Sequence, residues 1–134
     1  KQKLKACLDE GNVDKSMSAP VVAIIGMDLE FYEKLSKLFP HTDAKSWFVG
    51  KDENIHQTAF RNSSLQGAYF IMAVRSLGLD AGPMSGFDAT KLDKAFFPDG
   101  KVRSNFICAI GYGDESKLYP RGPRLEFEEA CQVV

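Results

Sequence analysis

At 134 residues, with 44% apolar and 26% charged side chains, the chain fits one globular domain, 1–134, large enough to bury a core. Its 17 basic and 18 acidic residues leave a net charge of −1, and the densest basic group, Lys1, Lys3 and Lys5, reads as a solvated helix face. That balance excludes a nucleic-acid grip, which needs cations massed on one surface to displace counterions.

No apolar stretch is long enough to span a membrane. Cys7, Cys108 and Cys131 lie far apart, with neither a metal-ligand spacing nor a redox pair among them. Reduced thiols and a cytoplasmic setting are therefore expected.

In chain order, Leu4, Cys7 and Leu8 recur at helical spacing, predicting a helix near the start. It begins without a cap residue, as though a further segment preceded it. Gly11 breaks the pattern, and residues 12–18 read as a short polar turn. Pro20 opens VVAIIG, a β-branched run expected as a buried strand. Asp28 is the expected N-cap of a helix over 29–38, stopped by Pro40. Residues 40–54 show no period and are expected to form a long loop or lid. The longest element is predicted over 55–77. Its middle, AYFIMAV (68–74), is apolar on every side, which implies a buried central helix, one able to pack against a second subunit.

Gly78 ends that helix. GPMSGF (82–87) is expected as a tight turn, and Asp88 as the N-cap of a helix to about residue 97. A turn at 98–100 leads to a second buried strand, NFICAIG (105–111). A Gly/Pro/Arg-bearing loop (112–124) and a short helical turn (127–131) complete the chain. The class is α+β, a central sheet covered by helices.

No nucleophile with its base, acid/base pair or metal cluster can be assembled, so an enzyme of this kind needs a cofactor to carry its reaction. Three short segments suit a flavin. In GNVDK (11–15), Asn12 offers a donor and an acceptor to the pyrimidine edge of the ring, and the Lys15 ammonium suits the anion that develops when the ring accepts hydride. In PMSGF (83–87), Gly86 lets backbone approach a flat ligand. In RGPR (121–124), Arg121 and Arg124 suit a phosphate. Each segment alone also reads as an ordinary solvated turn or loop. The fourth distinctive segment, RNSS (61–64) on the long helix, reads as scaffold and interface.

The order of segments resembles the nitroreductase superfamily: GN-x-x-K before an apolar strand, a long helix ending in LGLD-x-GPMSGFD, a strand ending in IGYGD, and an R-x-x-RL-x-FEEA tail. FPH-x-DAKSWF (39–48), TAFRNSS (58–64) and GPMSGFD (82–88) resemble the branch that holds the malonic semialdehyde reductase of pyrimidine degradation and its close NADH dehydrogenase/NAD(P)H nitroreductase relatives. The resemblance implies a nitroreductase-like fold and a homodimer with two FMN sites at the subunit interface. It also implies ping-pong chemistry in which NAD(P)H reduces FMN and a second substrate then takes the hydride. By the same resemblance, Asn12 and Lys15 meet the pyrimidine edge, and Pro83, Ser85 and Gly86 lie against the ring. Arg124 holds the phosphate. Arg121 stands in for a lysine that more distant members place where this chain has Gly122.

Family members also have an N-terminal helix and turn that hold the phosphate and are not in this sequence, so weak or no FMN binding is expected of the stretch alone. The expected reaction is reduction of malonic semialdehyde to 3-hydroxypropanoate, with His41, Lys45 and Trp47 of the loop selecting the acceptor. A broad nitro or quinone reductase is the alternative, and a flavin-binding dimerisation module without turnover is the reading from another class.

Overall fold

The computed structural model describes all of residues 1–134. Three strands form an antiparallel sheet in the order β1-β3-β2: β1 is Val21–Asp28, β2 is Asp80–Met84, and β3, at the centre, is Val102–Gly111. The two apolar runs expected as strands are β1 and β3, paired from Val21 opposite Ile110 to Asp28 opposite Val102. The register slips between Ile25 and Gly26, which stand opposite Phe106 and Ser104, so Asn105 is the extra residue of a β-bulge.

The helices divide between the two faces of the sheet. On one face, α1 (Gln2–Lys5) and α5 (Ala89–Phe96) close the core, where Leu4, Cys7, Leu92 and Ile107 pack together, the last two wholly buried. α2 (Glu10–Ser18) follows α1. On the other face lies α4 (Asp52–Ser76), reached through a 3-10 turn at Phe31–Lys34, the single-turn α3 (Leu35–Leu38) and a second 3-10 turn at Ala44–Trp47. After β3 the chain makes one more 3-10 turn, Glu115–Lys117, and the short α6 (Phe127–Ala130).

α4 buries a single face, through Ile55, Ala59, Ser63, Gly67 and Val74. The expected burial on every side does not occur within one chain. Leu65, Tyr69 and Met72, at positions i, i+4 and i+7, form an exposed stripe, with Tyr69 79% and Met72 67% exposed. Gly67 is the point of closest approach to the sheet: a Cβ there would meet the Phe106 ring at 2.6 Å and Ile25 at 3.3 Å. In mid-helix, Ala is favoured over Gly by up to ~1 kcal/mol. Overpacking against a ring held between helix and sheet costs ~1–3 kcal/mol. The clash wins. Gly67→Ala is expected to lower stability by about 1–2 kcal/mol, read from the urea midpoint.

Three expectations change. Residues 12–18 are helical, because α2 is held by tertiary packing: Ser16 is fully buried beside Met84. The helix expected over 29–38 is broken into a 3-10 turn and one α-turn. Asp28 is not its N-cap; its carboxylate accepts from the Glu30 amide at 2.8 Å, a local turn at the end of β1. The expected turn at 82–87 is partly the strand β2, with Pro83 opposite Cys108. β2 is an edge strand, where a residue without an N–H is tolerated.

Candidate functional site

The start of the chain and the segment after β2 meet as two short extended pieces. The Asp9 amide donates to the Gly86 carbonyl at 3.1 Å, the Asp88 amide donates to the Cys7 carbonyl at 2.7 Å, and Leu8 bridges Phe87 antiparallel. From the first turn of α2, the Asn12 side-chain amide donates to the same Gly86 carbonyl at 3.0 Å. Residues 12 and 86, singled out separately in the sequence, therefore lie in direct contact. Lys15 lies three residues on, hence on the same face of α2 as Asn12, exposed and in none of the ion pairs. Gly86 has no room for a side chain, since a Cβ would stand 2.3 Å from the Asn12 amide nitrogen and 3.1 Å from the Asp9 carboxylate.

Pro83 and Ser85 line a cavity of about 300 Å3 between β2, β3 and α4, together with Ser64, Ile71, Asn105 and Phe106. Asn105 is a site residue that the sequence reading did not single out. The bulge turns its side chain toward α4, where its amide nitrogen meets Ser64 Oγ at 3.0 Å and Ser63 Oγ at 3.2 Å. Ser63 in turn donates to the Gly26 carbonyl at 3.0 Å. The signal was an Asn at the head of the apolar run 105–111.

Asp88 caps α5 as expected, accepting from the Lys91 amide at 2.9 Å. That hydrogen bond holds its carboxyl below the usual carboxylate range, and the Gly113 and Ser116 contacts do the same for Asp80 and Asp114. A carboxyl whose folded pKa lies below its unfolded value contributes stability that is present above the unfolded value and lost as pH falls through the folded one. Acid is therefore expected to loosen the α5 cap below about pH 4. Asp88→Asn, which keeps an accepting oxygen, is expected to flatten that part of a Tm-against-pH profile. Cys108 is buried, and burial pushes its thiol up, so it is an inert core residue.

The three loop residues form a separate group. Phe39 packs edge-on to His41 at 5.6 Å between ring centres and tilted to Trp47 at 6.1 Å. Lys45 pairs with Glu33 at 2.6 Å, and that hydrogen bond raises the lysine pKa. No hydrogen bond or ion pair links this group to the α2–β2 wall. Arg121 and Arg124 lie in an exposed C-terminal arm, where the Arg124 guanidinium bonds only to its neighbours, the carbonyls of Gly122 at 2.9 Å and Pro123 at 3.2 Å.

No protein-family model matches the chain. A protein of Polynucleobacter asymbioticus carrying the provisional name NADH dehydrogenase/NAD(P)H nitroreductase is 67% identical over 134 residues, 100% of this chain and 68% of that protein. A protein of Stenotrophomonas maltophilia with the same provisional name is 61% identical over the same span and shares. Among solved structures, a nitroreductase family protein of Streptococcus pneumoniae superposes with a TM-score of 0.82 at 19% identity, covering 98% of this chain and 73% of the other. A provisionally assigned nitroreductase of Exiguobacterium sibiricum, crystallised in complex with FMN, superposes with a TM-score of 0.81 at 15% identity, covering 99% and 70%. At such identities the likeness is one of fold. No helix is long and apolar enough to cross a membrane.

Proposed function

Since this chain belongs to the nitroreductase family of oxidoreductases, we propose that it serves an FMN-dependent NAD(P)H oxidoreductase acting as a homodimer. The observation that carries this reading is the Asn12–Gly86 contact, which brings GN-x-x-K and PMSG onto one wall. The side chains and backbone there suit a flat heteroaromatic ring. Asn12 keeps an oxygen and one N–H beyond its bond to Gly86, Gly86 admits no Cβ, and the neighbouring cavity mixes apolar walls with Ser64, Ser85 and Asn105. Bound FMN would supply the hydride chemistry between NAD(P)H and a second substrate.

The chain's own residues bind and orient. In this reading Asn12 reads the polar edge of the ring, and Lys15 holds positive charge beside it. Pro83, Ser85 and Gly86 give it a floor, and Arg124, with Arg121, takes the phosphate. The exposed stripe of Leu65, Tyr69 and Met72 supports a second copy packed along α4.

We further propose malonic semialdehyde as the acceptor, with His41, Lys45 and Trp47 forming its pocket. The aromatic cluster of Phe39, His41 and Trp47 gives that pocket shape, and Lys45 is its cation. Glu33 already engages that cation, so a substrate carboxylate must share it. An exposed ion pair is worth ~0.2–1 kcal/mol, so Lys45→Ala is expected to raise KM for malonic semialdehyde by at most about fivefold. KM for a neutral quinone should not move; equal shifts for both would remove the pocket from this loop.

A visible spectrum of the purified full-length protein, followed by anaerobic addition of NADPH, tests the whole reading. A yellow protein that bleaches is an oxidoreductase, whereas a yellow one that stays oxidised is a binding module. A colourless one overturns the flavin reading. Repeating the titration with malonic semialdehyde, a nitroaromatic and a quinone then separates the specific aldehyde reductase from a broad nitro or quinone reductase.

A further inference from the structure

Residues 112–134 form an arm in which every residue is exposed. The arm is internally ordered by Asp114, which accepts from Ser116, and by the capping box between Glu126 and Glu129. Yet a single hydrogen bond ties it to the rest of the chain: the Gly113 amide donates to Asp80 Oδ2 at 2.7 Å. Asp80 is itself held in place. Its other carboxylate oxygen pairs with the Arg75 guanidinium, which also donates to the Leu79 carbonyl at 3.1 Å.

This node sits where three elements end. Arg75 is in the last turn of α4, Asp80 opens β2, and Gly111 closes β3 opposite Asp80. Just before the tie, Gly111 is packed so closely on Pro20 that a Cβ would stand 2.6 Å from the proline ring. At the tie, a Cβ on Gly113 would stand 3.0 Å from Asp80 Oδ2. The two glycines fix the path at which the arm leaves the sheet, and Asp80 is the one polar group that grips it.

We infer that Asp80, braced by Arg75 and gripping the Gly113 amide, is a positioning residue that aims the C-terminal arm and thereby sets where Arg121 and Arg124 stand. The inference rests on the reading of Arg124 as the phosphate-binding residue. Asp80 touches no reacting atom; it acts through the arginines eight and eleven residues beyond the tie. A charged acceptor suits the task, because a hydrogen bond to an ionised group is stronger and shorter than one between neutral partners.

The test uses the full-length protein and two readouts: amide hydrogen exchange at Gly113, and FMN affinity from quenching of flavin fluorescence. Loss of a hydrogen bond to a charged group corresponds to roughly tenfold or more in an equilibrium constant, so Asp80→Ala should weaken FMN by about tenfold and deprotect the Gly113 amide. Gly113→Ala, which disturbs the tie from the arm side, should do the same, keeping the question open to measurement if Asp80→Ala folds poorly. Asp80→Asn, which keeps an accepting oxygen but loses the charge and the ion pair to Arg75, should recover only part of the affinity. Combined with Arg124→Ala, Asp80→Ala should add little, because both act on one contact.

Wild-type FMN affinity in Asp80→Ala with a freely exchanging Gly113 amide would overturn the inference. Full additivity with Arg124→Ala would overturn it too. A wild-type protein that takes up no FMN would instead overturn the flavin reading, and with it Asp80's role toward FMN. The exchange data would then still show whether the arm is tied.

Discussion

Lys15→Ala in the full-length protein is expected to slow reduction of bound flavin by NAD(P)H by about a hundredfold, the scale of losing one preorganised charge-stabilising group. FMN affinity should change far less. Lys15 sits in the last turn of α2, on the face that carries Asn12, and its ammonium is engaged by no carboxylate. An ammonium in open water is screened and worth at most ~1 kcal/mol, about fivefold. The same charge in a site closed by the ligand itself acts at lower dielectric, where it counts for much more. The size of the effect therefore separates the two situations. Stopped-flow absorbance of the reductive half-reaction reads it directly, and Lys15→Arg, which keeps the charge but not the shape, should recover part of the rate. A loss under fivefold would make Lys15 a surface lysine.

Much of the fold around this site was legible in the sequence because its pieces are short and carry strong local signals. Asp88 caps α5 because a side-chain oxygen before a helix finds free amides whatever surrounds it. Gly78 ends the α4 region at φ +75°, a conformation that glycine alone adopts freely. The apolar runs of β1 and β3 are strands because nothing else about them competes. The misread pieces have one cause in common: a partner far away in sequence decided them. Residues 12–18 carry Gly, Asn, Asp and Ser, so they look like a turn. They are helical because Ser16 and Asn12 find Met84 and Gly86 across a gap of some seventy residues. Gly82 and Pro83 look like a turn and lie in a strand because β3 supplies the pairing.

The bulge at Asn105 follows the same logic. It is a property of the β1–β3 register, which neither strand shows alone. Likewise the helix expected at 29–38 gives way to turns in which Phe31 and Tyr32 both pack against Phe48, at 4.9 and 6.4 Å between ring centres. The exposed stripe of α4 is the reverse case. Its apolar pattern is local and plain, but nothing within the chain covers it.

Gly86→Ala puts the shared wall itself to the test, with a change of one methyl group. The methyl carbon would fall 2.3 Å from the Asn12 amide nitrogen and 3.1 Å from an Asp9 carboxylate oxygen, so something must move. The main chain of residue 86 is held by the Asp9 amide and by the Leu8–Phe87 bridge, whereas Asn12 is free to swing at its own side-chain torsions. Asn12 therefore yields, giving up its bond to the Gly86 carbonyl. The cost in stability is set by one lost hydrogen bond and a modest repacking, about 1–2 kcal/mol. The cost in ligand binding is larger, because a misplaced Asn12 no longer presents its oxygen and free N–H to the polar edge of the ring. FMN affinity is expected to fall by about a hundredfold, roughly two hydrogen bonds' worth. The double variant Gly86→Ala with Asn12→Ala separates these contributions. With the amide gone the methyl gains room, so the double variant should bind FMN no more weakly than Gly86→Ala alone. Additive losses would mean that residues 12 and 86 contact the ligand independently, and that their meeting in the fold is not what shapes the site.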